Sequence, residues 1–106
     1  MKLLTKEIKK TLPKLGETDG LPDSMKIVRA KFFTPWTNWT WYVVEGEEQP
    51  DGNWLFFGLV EGLDTEWGYF GLWELEVLDG PFGLKIERDI YFGNPTIEEI
   101  KRRFLR

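Results

Sequence analysis

The segments "WTWYVVEG" (residues 39–46) and "WLFFGLVEG" (54–62) decide the fold, and "EEQPDGN" (47–53) joins them. Both segments are rich in aromatic and β-branched residues, which favour strands, and the Pro-Asp-Gly order between them is typical of a turn. We therefore predict a β-hairpin. Because apolar side chains occupy both faces of each strand, we expect the hairpin to be central in its sheet and covered on both sides.

The residues flanking the hairpin predict further strands and three helices. Leu4, Ile8 and Leu12 recur at helical spacing, and Thr96 stands three residues before Glu99 in the pattern of a capping box. We predict a single α+β domain of four or five mostly antiparallel strands packed with N-terminal, internal short and C-terminal helices. Its expected order is an N-terminal helix in 1–15, a loop over 16–25, a sheet over 26–92 with a short helix near 72–78, and a C-terminal helix over 96–105.

Two segments late in the sheet region have mixed patterns. The segment "LWELEVL" (72–78) predicts the short helix, with Trp73 directed inward. The segment "LKIERDIYF" (84–92) predicts a strand in which Arg88 shares a face with Leu84, Ile86, Ile90 and Phe92. An arginine on an apolar face is a candidate for binding chemistry. The alternative is that it pairs internally with a carboxylate.

Charge is distributed unevenly along the chain. The formal net charge is -4, but residues 32–84 contain ten acids and no Lys or Arg, and all six tryptophans lie there. Both ends of the chain are basic. Two interpretations stay open: basic terminal helices dock on an acidic sheet and cancel most of its field, or the acidic aromatic region is a surface for a basic partner.

The composition argues against the common kinds of catalysis. The chain has no cysteine and no histidine, which excludes disulfides, thiolate ligands and the usual general base near neutral pH. Ser24 is the single serine, and no histidine can activate it. Asp64 and Glu66 lie two residues apart, but this stretch lacks the signature of a calcium loop, and a solvated edge explains the two acids better. We therefore expect a non-enzymatic protein with no catalytic residue, cofactor or metal.

No segment approaches the length needed to span a bilayer, and the N-terminus has no apolar run of signal length. We therefore expect a cytoplasmic protein that does not interact with membranes. The lack of cysteine is consistent with a reducing compartment.

Several stretches together resemble a known family. They are "MKLLTKEIKKTLPKL" (1–15), "KFFTPWTNWTWYVVEGE" (31–47), "LFFGLVEGL" (55–63), "GYFGLWELE" (68–76) and "GPFGLKIERDIYF" (80–92). They are similar to domain of unknown function 2958, and the similarity covers nearly the whole chain. That family is found in bacteria, phages and plasmids, often in mobile elements, and has no established activity. The resemblance therefore implies an accessory or anti-defence role in the biology of mobile DNA.

Five residues are candidates for a binding site: Trp36, Asn38, Trp39, Tyr69 and Arg88. Trp36 follows a proline in a turn, where a bulky ring is less readily buried, and Asn38 offers both donors and acceptors. Tyr69 presents a ring and a hydroxyl. Trp39 shares a strand face with Trp41, so a core role for this pair is the competing interpretation.

We predict a protein-interaction or accessory protein that binds a basic protein partner through an acidic, tryptophan-rich surface. The alternative is a domain that binds a small ligand, a nucleotide or nucleic acid through the neighbourhood of Trp36, Asn38 and Arg88. Nucleic acid is the less favoured ligand, because single-strand binders combine aromatic platforms with a positive groove and here the aromatic region is acidic.

Overall fold

The predicted hairpin forms the centre of the sheet. In the computed structural model, which describes residues 1–104, strands β2 (Thr40–Glu48) and β3 (Trp54–Glu61) pair antiparallel. The amide of Gln49 donates a hydrogen bond of 2.8 Å to the carbonyl of Asn53 and closes the turn between them. The Pro-Asp-Gly sequence lies inside this turn, as the sequence predicts.

Three further strands extend the hairpin on both sides. β1 (Ala30–Phe33) pairs with β2, β4 (Thr65–Gly71) pairs with β3, and β5 (Glu87–Arg88) pairs with β1. The result is a five-stranded sheet of order β4-β3-β2-β1-β5. All of these pairings are antiparallel.

Three helices cover the two faces of the sheet. α1 (Lys6–Thr11) and α2 (Leu72–Val77) lie on one face, and α3 (Ile97–Phe104) lies on the other. The protein is thus a single α+β domain, which confirms the predicted fold class. The capping box is present at α3, since the Glu99 amide donates to Thr96 Oγ1 at 3.2 Å and the Thr96 amide donates to Glu99 Oε1 at 3.3 Å. The predicted end of this helix at residue 105 lies outside the described residues.

Each face of the sheet has its own apolar cluster. The first cluster lies under α1 and α2 and contains Leu3, Leu4, Ala30, Phe32, Trp41, Val43, Phe56, Phe70, Leu75 and Ile86. The second lies under α3 and contains Val28, Tyr42, Val44, Leu59, Ile97 and Ile100. Since both faces of the central hairpin are buried, the expectation of a hairpin covered on both sides is confirmed.

The segment after α2 differs from its prediction. The predicted strand over 84–92 is wrong, because β5 contains only two residues. Ile86 packs into the first cluster whereas Phe92 packs against the second, so this segment passes around the edge of the sheet rather than along one face. Trp73 was also expected to point inward, yet its side chain is 46% exposed, because Leu75 takes the buried position of α2.

A bulge brings the backbones of β2 and β3 unusually close together. The register between these strands shifts between Val43 and Glu45. Opposite this shift, a Cβ placed on Gly58 would overlap the carbonyl oxygen of Tyr42. Gly68 is the partner of Gly58 on β4, and a Cβ placed there would have no atom within 4 Å.

These two glycines provide a matched test of the register. We expect Gly58→Ala to lower the free energy of unfolding by about 3 kcal/mol or more, because the backbone must move to admit the methyl group. Gly68→Ala should leave stability within about 1 kcal/mol of the natural protein or raise it, since a free site gains from reduced chain entropy. Urea denaturation of the two variants measures both effects. Equal destabilisation by both would show that the close approach at Gly58 is absent.

A buried carboxylate on β2 fixes the loop that follows α1. Glu45 is 1% exposed and accepts hydrogen bonds from the amides of Gly16 and Thr18, each at 2.8 Å, and from the Thr18 hydroxyl. Lys26 Nζ in turn donates to the Thr18 carbonyl at 2.9 Å. Burial alone would raise the pKa of Glu45, but these hydrogen bonds and the positive Lys26 hold it below the ordinary value of 4.5.

Replacing this carboxylate should destabilise the protein in a pH-dependent way. We expect Glu45→Gln to lower the free energy of unfolding at pH 7 by about 2 to 3 kcal/mol, since an amide cannot accept all of these bonds. The lowered pKa stabilises the folded state above pH 4.5, and that contribution is lost as the pH falls from 4.5 through the folded-state pKa. Denaturation at several pH values should therefore show the difference between natural protein and variant shrinking in acid.

The exposed Glu48 on the same strand offers the control, because Glu48→Gln should change stability by no more than about 0.5 kcal/mol. A Glu45→Gln effect that is constant from neutral pH down to the acid range would contradict a role for the charge.

Candidate functional site

Three of the predicted site residues line one cleft. Asn38, Trp39 and Arg88 meet in a cavity of about 630 Å³ where the start of β2 and the end of β1 lie beside β5. Glu61 and the exposed Tyr91 also contribute to its wall. The fold therefore brings together Asn38 and Arg88, two of the three residues proposed for a small-ligand site.

The side chain of Arg88 has a structural partner within this cleft. Its Nη1 donates to the carbonyls of Lys2 and Leu3 at 2.5 and 3.2 Å. Backbone oxygens thus take the place of the carboxylate that an internal pairing would have supplied. Since Leu3 and Leu4 are buried in the first cluster, Arg88 helps to hold the N-terminal segment against the sheet.

Trp36 and Tyr69 lie elsewhere. Trp36 is half-buried against the first cluster, and its ring lies on Gly80 so closely that a Cβ there would overlap it. Tyr69 is 65% exposed on β4, and its ring centroid lies 4.9 Å from that of Phe57. Neither residue lines the cleft that contains Asn38, Trp39 and Arg88.

Trp39 also borders a second, smaller depression at the end of the β3–β4 hairpin. We call the depression the acidic aromatic patch; it has a volume of about 170 Å³ and is lined by Trp39, Val60, Leu63, Asp64 and Glu66. The side chain of Trp39 is 39% exposed and that of Leu63 is 94% exposed. Two carboxylates and an accessible indole therefore share one surface.

Packing holds the Trp39 ring in place. Its centroid lies 5.9 Å from that of the buried Trp41, with the two planes inclined by 30°. On another side the ring covers Gly62, where an added Cβ would lie 2.5 Å from two of its carbons. Trp39 is therefore a rigid half-exposed platform, which corrects the interpretation of the pair as core: Trp41 is buried and Trp39 is not.

Most acids of the middle segment form no ion pair within the described residues. Within residues 1–104, Asp79 is the acid of the 32–84 segment that forms an ion pair, with Lys85. The other ion pairs of the described chain join Lys31 to Asp89, Lys101 to Asp23 and Arg102 to Glu98. Within the described chain, ion pairing with the basic terminal helices therefore does not neutralise Asp64 and Glu66.

The basic ends of the chain do contact two other tryptophans. Lys9 Nζ lies 5.4 Å from the ring centroid of Trp54, and Lys26 and Lys101 lie 5.5 and 5.8 Å from that of Trp67. Among the described residues no cation is placed in this way over Trp39. Its exposed face is thus available for a cation from another molecule.

Other chemistry has little support in the described part of the chain. Burial and the neighbouring Glu61 carboxylate raise the pKa of Tyr42 to about 12, with partial compensation by Arg103, so this phenol stays protonated at neutral pH. Residues 1–104 contain no cluster of three or more metal-ligating side chains. No helix in the same range is long and apolar enough to cross a membrane.

Sequence reasoning did not select Leu63 as part of a site and assigned Asp64 and Glu66 to a solvated edge. Both acids are exposed at or next to the tip of a hairpin, as that interpretation expects. What the sequence did not show is that Trp39, distant in the chain, lies beside them. To find this contact, one would have needed the pairing registers of β2 with β3 and of β3 with β4, because these registers decide which side chains are neighbours.

The protein is thus a small α+β domain whose antiparallel sheet is covered on both faces. It has an open cleft and an acidic aromatic patch, and residues 1–104 show no evident catalytic centre. The chain belongs to the family described as "Protein of unknown function (DUF2958)", whose model matches residues 3–98. The resemblance seen in the sequence is thereby confirmed. Comparison with curated proteins and with solved structures gave no match.

Proposed function

We propose that this protein is a non-enzymatic binding protein whose acidic aromatic patch receives an arginine or lysine side chain of a protein partner. The observation that carries the proposal is the position of Trp39, which presents its half-exposed ring beside Asp64 and Glu66. The aliphatic stem of an arginine or lysine would lie along Val60 and Leu63, and its charged end would meet the carboxylates.

The charge pattern supports a basic partner. The segment 32–84 contributes ten acids without a Lys or Arg, and the acids of the patch have no ion pair within residues 1–104. Such a surface attracts basic proteins at a distance and repels acidic ones, which increases association rates and excludes wrong partners. Because exposed charges are screened by salt, binding should weaken as ionic strength rises.

An accessory role in a mobile element, including a role against host defence, fits this proposal. The support is the family resemblance, which connects the chain with phages and plasmids, together with the lack of catalytic chemistry in its composition. A cytoplasmic site of action is part of the same proposal, since such partners are intracellular proteins.

The cleft lined by Asn38, Trp39 and Arg88 favours a second candidate function, the binding of a small ligand or nucleotide. Its volume of about 630 Å³ lies within the range of small-molecule sites. Arg88 is already engaged by backbone carbonyls, so Asn38 and Trp39 would provide the recognition.

Titration with a short cationic peptide tests the patch directly. We expect Gly-Arg-Gly amide to shift the indole N–H resonance of Trp39 and the amide resonance of Leu63 in two-dimensional NMR spectra. Trp39→Ala should raise the dissociation constant of this peptide by about fivefold or more, and so should Asp64→Asn combined with Glu66→Gln. Each change removes roughly 1 kcal/mol of cation–π or charge attraction.

The exposed Trp73 supplies the control, since Trp73→Ala removes an indole of similar exposure outside the patch and should leave the titration unchanged. Gly-Gln-Gly amide should cause no shifts. Equal shifts from the two peptides would contradict the proposal, and shifts confined to the side-chain amide of Asn38 would favour the cleft.

A further inference from the structure

A groove separate from the acidic aromatic patch runs beside β1, between α1 and the segment 89–94. Its volume is about 490 Å³, and its cationic lining residues are Arg29, Lys31 and Arg88. Two of these cations have partners on the chain. Lys31 Nζ lies 3.5 Å from Asp89 Oδ2, and Arg88 donates to the backbone carbonyls of Lys2 and Leu3.

Arg29 is the partly buried cation of this groove whose Nε has no partner in the described chain. No acid in residues 1–104 forms an ion pair with it, and its Nε is buried with no hydrogen-bond partner. A guanidinium stays charged at every physiological pH, so the missing partner cannot be avoided by loss of a proton. Buried polar atoms without partners are rare in native proteins and indicate an unseen water, ion or ligand.

The surroundings of Arg29 suit an organic molecule that bears an anionic group. Thr5 Oγ1 accepts a hydrogen bond from the Ile8 amide at 3.2 Å, which leaves its own O–H free to donate. Ile90 and Phe92 add apolar surface to the wall. Of the acids that line the groove, Asp89 is compensated by Lys31, and Glu7 is exposed on α1.

We propose that this groove binds an oxyanion, a phosphate or carboxylate group carried by a small organic molecule, and that the guanidinium of Arg29 is its main ligand. The planar fork of an arginine matches both kinds of oxyanion in a bidentate geometry. The remaining volume of the groove accommodates the organic part against Ile8, Ile90 and Phe92. This site has the opposite charge preference to the acidic aromatic patch and does not depend on it.

The side-chain Nε–H of Arg29 is a direct reporter for this site. We expect inorganic phosphate, titrated at constant ionic strength, to shift this resonance and the amide resonances of Thr5 and Asn94 in a saturable manner. Sodium acetate is the second arm: saturation by phosphate alone assigns a phosphate group, and saturation by acetate alone assigns a carboxylate. The absence of a saturable shift at Arg29 with either anion overturns the proposal.

Matched variants separate the site from general charge effects. Arg29→Met should abolish the saturable response, whereas Lys10→Met, which removes an exposed positive charge of α1 outside the groove, should retain it. A response that persists in Arg29→Met would contradict the assignment. The natural protein alone still tests the proposal if Arg29→Met fails to fold.

Thermal unfolding gives an independent measurement. At a phosphate or acetate concentration about ten times its dissociation constant, the melting temperature of the natural protein should rise by about 5 °C or more, since the anion binds the folded state. In buffer without either anion, Arg29→Met should melt no lower than the natural protein, because it removes an unmatched buried donor. A markedly lower melting temperature would show that the chain already satisfies Arg29 and would overturn the proposal.

Discussion

The hydrogen bonds to the buried carboxylate of Glu45 attach the loop after α1 to the centre of the sheet. Glu45 lies on the central strand β2, and the amides of Gly16 and Thr18 converge on it from the loop after α1. Removing a carboxylate from water is unfavourable unless several donors replace the lost solvent, and this loop provides them. The position of this loop against β2 is therefore fixed by Glu45. Because the chain has no cysteine, no disulfide can attach this loop, and the hydrogen bonds to Glu45 do so.

Part of the surface of the sheet remains open. Two of the covering helices, α1 and α3, come from the basic ends of the chain, and lysines of these ends lie over Trp54 and Trp67. Among the residues that the structure describes, no such cation lies over Trp39, which borders Asp64 and Glu66 at the tip of the β3–β4 hairpin. These contacts between the basic ends and the sheet account for part of the charge pattern. Within residues 1–104, however, Asp64 and Glu66 at this tip form no ion pair.

The sequence was informative where one physical signal dominated. Aromatic and β-branched residues with a turn motif predicted the β2–β3 hairpin, and the capping box predicted the start of α3, because these signals are local. It was least informative for 84–92, where the segment passes from one face to the other, and for Trp73, whose burial depends on which residue of α2 reaches the sheet. The acidic aromatic patch depends on the register of the strands, and whether Arg29 Nε finds a partner within residues 1–104 depends on which groups the fold brings near it. A single sequence records neither.

The central claim is that the tip of the β3–β4 hairpin is an open surface that binds a basic protein. The most direct measurement places a photo-activatable cross-linking residue at position 63, irradiates the protein in a lysate of its host, and identifies the attached peptides by mass spectrometry. The account predicts a distinct adduct whose attached peptides are rich in Lys or Arg, which is absent when the cross-linker is at the exposed Glu17 and is lost when Asp64 and Glu66 are neutralised. Equal cross-linking from both positions, or an adduct that persists without the two charges, would contradict it.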